Sequence, residues 1–83
     1  MFLVFKGGTE TVTLELDRKI KLLYVTSAKT NNVRVKTEWI NLFDKGKEDL
    51  QEKITDQLSD KMFIEAIKNS MALNGYQLVY SKC

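Results

Sequence analysis

Eighty-three residues, 43% hydrophobic and 29% charged, give the usage of a single small globular domain and exclude a disordered chain. The chain has no histidine and no proline, and its one cysteine is Cys83. That removes the commonest general base, the commonest metal ligand and any internal disulfide.

A domain of this length buries only about 60–65% of its unfolded surface, so a thin core is expected across residues 1–83. The cysteine usage suits a reducing compartment, and the cytoplasm is the expected location. The apolar run Phe2 to Phe5 is too short for a signal peptide or a membrane span. Charge is unevenly divided. Residues 1–47 carry nine Lys/Arg and five Asp/Glu, whereas residues 48–83 carry four and six. The basic half is therefore the side that would attract an anionic partner.

Phe2 to Phe5 are strand formers, and Gly7-Gly8 follows as a hairpin signal because glycine reaches positive φ at little cost. With Gly7 and Gly8 as loop residues, Leu3 pairs with Val12. Leu3 and Phe5 then share a face with Val12, and Phe2 and Val4 take the other. The second strand, Glu10 to Leu16, alternates cleanly, with Val12, Leu14 and Leu16 on one face. The third runs from about Lys19 to Thr26. Placing Ile20, Leu22 and Tyr24 with those residues requires an odd loop, Asp17-Arg18-Lys19, and puts Leu23 and Val25 on the outer face.

Ser27 to Asn32 is a turn cluster. Val33 to Lys36 makes a fourth strand, with Tyr24 opposite Val33 and Leu22 opposite Val35. The period changes after Thr37. Trp39, Ile40, Leu42 and Phe43 fit a short helical turn. Leu50, Ile54 and Leu58 form a stripe of spacing four, with Asp49 and Lys53 as an i,i+4 pair. Ser59 is the predicted N-cap of a second helix, Asp60 to about Leu73, whose broad apolar arc includes Phe63 and Ile67. Asn74-Gly75 stops it, and Tyr76 to Tyr80 is a short last strand. The expected fold is α+β. It has an antiparallel meander of four strands plus a C-terminal strand, with two helices packed on one face.

Catalytic chemistry finds little to work with. Without histidine there is no Ser-His or Cys-His pair, and Cys83 has no activating base beside it in the sequence. Glu48/Glu52 and Glu52/Asp56 are paired carboxylates, but they fall away from the apolar stripe that would raise a pKa. Asp44, Glu48, Asp49 and Glu52 lack the alternating ligands of a calcium loop. Gly7-Gly8 lacks the continuation of a phosphate-binding loop. No enzyme activity, cofactor or metal is expected.

Two binding surfaces remain. The outer sheet face offers Lys19, Lys21, Arg34 and Lys36 as an anion or nucleic-acid face, and the assumed register sets Lys21 against Lys36. Like charges so placed cost on the order of 0.2–1 kcal/mol, a cost that a bound anion would offset. The plainer reading is a solvated face whose charges discourage aggregation. Phe2, Val4, Leu23 and Val25 form an apolar patch on the same nominal face, a candidate protein interface. The expected function is a small binding or regulatory protein acting through protein–protein contact, as a homodimer or as an inhibitor of a larger macromolecule. The alternative is a nucleic-acid-binding module. A membrane partner is not expected.

Overall fold

The alternation in the first seventeen residues becomes a hairpin in the computed structural model, which describes residues 1–38 and 57–82. Strand β1 is Phe2–Gly7 and β2 is Glu10–Asp17. Leu3 pairs with Leu14, Phe5 with Val12 and Gly7 with Glu10. The turn is therefore Gly8-Thr9, one residue later than predicted, with Gly8 at φ 61. That moves the register by two, and a shift of two leaves every side chain on its face. Gly7 stays in the strand for a packing reason. A Cβ there would stand 2.6 Å from the Tyr76 ring.

The structure departs from expectation at β3, Leu22–Thr26. Asp17 pairs with Leu22, so the connection is the four residues Arg18 to Lys21. The Lys19 N–H donates to the Asp17 carboxylate at 3.0 Å, and Lys21 adopts φ 52 to complete the turn. Four residues in place of three turn the strand over. Leu16 now pairs with Leu23 and Leu14 with Val25. Leu23 and Val25 thus face the core, which corrects their predicted outward position; Leu23 is 1% exposed and Val25 packs against the core. Ile20, expected inside, sits in the turn at 68% exposure.

A short 3-10 turn, Ala28–Thr30, leads toward β4, Val35–Thr37. The Thr30 hydroxyl accepts the Ser27 N–H at 3.1 Å and donates to the Ser27 carbonyl at 2.8 Å. Asn31 and Asn32 follow at φ 55 and 60, a region asparagine enters more readily than most residues. Val25 pairs with Val35 and Tyr24 with Lys36. The predicted pairs Tyr24–Val33 and Leu22–Val35 are not formed, and Val33 lies outside the strand and exposed.

Strand β5, Gln77–Lys82, pairs antiparallel with β1 and completes a sheet of order β4-β3-β2-β1-β5. Its register jumps between Val4, which faces Tyr80, and Phe5, which faces Leu78. Val79 is the extra residue of a bulge.

Helix α1, Asp60–Ala72, begins as predicted. The Ser59 hydroxyl accepts the Met62 N–H at 3.3 Å, and Asp60 lies in the first turn. Phe63 and Ile67 enter the core with Leu3, Phe5, Val12, Leu14, Leu16 and Leu23. Arg18 clasps the helix start to the β2–β3 turn. Its guanidinium lies 4.4 Å from the Phe63 ring centroid and donates to the Leu58 carbonyl and the Asp60 carboxylate, each at 2.7 Å. The architecture is α+β, a five-stranded antiparallel sheet with one helix among the described residues. The predicted helical turn at Trp39 and the stripe of Leu50 and Ile54 lie outside the described residues.

Candidate functional site

With α1 on one face, strand alternation decides what the other face carries. The pairings align one transverse row across all five strands: Lys36, Tyr24, Glu15, Phe2 and Lys82. Directly opposed residues in an antiparallel sheet project to the same side. A second row holds Thr26, Thr13, Val4 and Tyr80, and a third holds Thr11, Lys6 and Gln77. Three aromatic rings and several cations therefore occupy the face that α1 does not touch.

Arg34 reaches this face from the segment before β4. Its guanidinium carbon lies 3.6 Å from the Tyr24 ring centroid, and its Nε donates to Glu15 Oε2 at 2.5 Å. Phe2 and Tyr80 meet edge to face, with centroids 6.2 Å apart, an arrangement favoured by the ring quadrupoles. Between these groups lies an open hollow of about 250 Å³, bordered by Phe2, Glu15, Leu22, Tyr24, Arg34 and Lys82. Tyr80 is 52% exposed.

The residues predicted for an anion face separate. Arg34 and Lys36 belong to the surface opposite α1. Lys19 and Lys21 lie in the β2–β3 turn and not on a strand. Lys21 does not oppose Lys36, whose partner is Tyr24. The predicted like-charge pair is thus replaced by a cation beside an aromatic ring. Of the predicted apolar patch, Phe2 and Val4 remain on the outer face, while Leu23 and Val25 face α1.

Sequence reading missed Lys6, Tyr24, Tyr80 and Lys82. Lys6 follows directly from alternation with Phe2 and Val4. Tyr24 was hidden by the turn length before β3, and Tyr80 by the bulge that re-aims the end of β5.

A separate polar contact braces the sheet end. The Tyr76 hydroxyl donates to Glu10 Oε2 at 2.7 Å. Tyr76 is held above its ordinary pKa, first by that hydrogen bond, then by desolvation and by the Glu10 charge. This pair ties β2 to the segment entering β5.

Among the described residues, no group of three or more His, Cys, Asp or Glu side chains is placed to hold a metal ion. No helix among them is long and apolar enough to cross a membrane. Comparison with protein-family models, with curated proteins and with solved structures returned no match.

Proposed function

We propose that this is a non-enzymatic binding protein and that the sheet face opposite α1 takes single-stranded nucleic acid. The observation that supports this reading is the sharing of one face by Phe2, Tyr24 and Tyr80 with Lys6, Arg34, Lys36 and Lys82. Every base has a π face, and stacking on a protein aromatic ring contributes about 1–3 kcal/mol per base. Lysine and arginine beside the rings neutralise phosphates and release their counterions. A duplex buries its base faces within its own stack, so rings on an open sheet suit unpaired strands.

The test is fluorescence anisotropy with labelled mixed-sequence DNA and RNA single strands at about 50 mM and about 200 mM salt. Saturable binding that weakens as salt rises is expected. Absence of binding to both strands at the lower salt would overturn the reading.

Contact with another protein is the second reading, in which the chain acts as a regulator or self-associates. It is favoured by β5, an edge strand of the sheet, where Val79 is 58% exposed beside Tyr80. Light scattering over a range of protein concentrations tests self-association. A rising mass supports it, and a constant monomer mass counts against it.

A further inference from the structure

We infer that Glu15 makes the proposed single-strand site selective for guanine. This rests on the nucleic-acid reading above and asks which base the site accepts. A carboxylate is an unusual group at the centre of a basic face; Asp17 also borders the hollow, but it accepts the Lys19 N–H and lies at the end of β2, outside the central row. Glu15 stands midway along the row Lys36, Tyr24, Glu15, Phe2, Lys82, with an aromatic side chain on each neighbouring strand and a cation at each outer position. It also borders the hollow. A phosphate placed over Glu15 would meet like charge. Phosphates are therefore directed to Lys36 and Arg34 on one side and Lys82 on the other, and a base is left over the centre.

The chemistry of the carboxylate then selects among bases. An ionised carboxylate only accepts hydrogen bonds, at two oxygens with two lone-pair directions each. Arg34 Nε fills one direction on Oε2 and fixes the orientation of the group. Capacity remains on both oxygens. Guanine presents two adjacent donors on its pairing edge, N1–H and the N2 amino group, which match a carboxylate bidentately. Uracil and thymine present one N–H between two carbonyl oxygens, which the carboxylate repels. Adenine and cytosine each present an amino donor beside an acceptor nitrogen. Only guanine satisfies both oxygens without opposing one of them.

Phe2 and Tyr24 supply the flanking surfaces. Neighbouring strands lie about 4.8 Å apart, so the row places an aromatic side chain on each side of the carboxylate at about that spacing. Arg34, held over Tyr24, adds a planar cation at the same border.

The experiment compares oligouridine with the same strand carrying one central guanosine, in ribose and deoxyribose forms, by anisotropy at about 50 mM salt. A good bidentate contact predicts that the guanosine strand binds about tenfold more tightly. Glu15→Ala and the isosteric Glu15→Gln, both on an open strand face, remove that preference while binding of oligouridine is kept or strengthened. Far-ultraviolet circular dichroism verifies that both variants remain folded. Equal affinity of the wild-type protein for the two strands, or a guanosine preference that survives in Glu15→Ala, overturns the inference and leaves the nucleic-acid reading standing. Failure of every strand to bind overturns both. Discrimination retained in only one sugar form assigns the guanine preference to RNA or to DNA and supports the inference.

Discussion

The Arg34 guanidinium lies over the ring of Tyr24, 3.6 Å from its centroid. An exposed contact of this kind contributes about 0.5–1 kcal/mol. It does more to position than to stabilise, because it holds a planar cation beside the only carboxylate in the transverse row. A ligand base can stack on the guanidinium, and Tyr24 is the platform behind it. Tyr24→Ala is therefore expected to weaken single-strand binding about tenfold and, with the cation–ring contact gone, to lower the melting temperature by several degrees. Tyr24→Phe keeps the ring and should bind almost as the wild type does. Loss of binding in Tyr24→Phe would tie the effect to the hydroxyl and count against stacking.

Lys36 and Lys82 end the row on opposite strands, β4 and β5. Each phosphate contact on a single strand contributes a salt slope of about 0.7. Lys36→Ala and Lys82→Ala should each lower the slope of log affinity against log salt by about that amount, and the double variant by the sum. Lys29, exposed in the 3-10 turn, serves as the control and should leave the slope unchanged.

The overturned third strand is itself testable. Leu23 is buried against Leu16, whereas Leu22 sits on the opposite face beside Asp17. Leu23→Ala should cost about 2–5 kcal/mol in a denaturant titration. Leu22→Ala should cost much less, since no tightly packed cavity is opened. The reverse ranking would restore the register in which Leu22 faces the core.

Tyr76 gives the stability a pH signature. Its pKa is raised from the ordinary 10.0 by the hydrogen bond to Glu10, by desolvation and by the Glu10 charge. The folded state therefore holds the phenol proton more tightly than the unfolded chain does. Its contribution is complete below the ordinary value and is lost as pH rises through the folded-state value. Thermal melts should show an alkaline decline in the wild type that is smaller in Tyr76→Phe. An identical decline in both would assign it to other groups.

Much of the fold follows from residue order alone. The alternation of Glu10 to Leu16 has one apolar face, so β2 has one solution, and Ser59 before an apolar arc marks the start of α1 at the right residue. Strand β3 is different. Leu22, Leu23, Tyr24 and Val25 are apolar or aromatic at each position, so periodicity is equally content with either face. The decision passes to the turn, where Lys21 takes a left-handed conformation that its residue type does not advertise. The candidate site inherited that ambiguity. Phe2, Val4, Arg34 and Lys36 were legible on the outer face. Tyr24 and Leu23 exchanged places, and the aromatic character of the surface was lost with the exchange. Tyr80 depended on a bulge that arises from pairing with a strand far away in sequence.

That distant pairing has a consequence for assembly of the fold. Strand β1 forms its first partnership with β2 across a two-residue turn, but its second awaits β5, with Phe2 meeting Lys82. Closing so long a loop is entropically costly and slows folding. Without that pairing, the backbone groups of β1 that bond to β5 form an open strand edge, which can pair with another chain. Misassociation through β1 is thus favoured whenever β5 is displaced from the sheet.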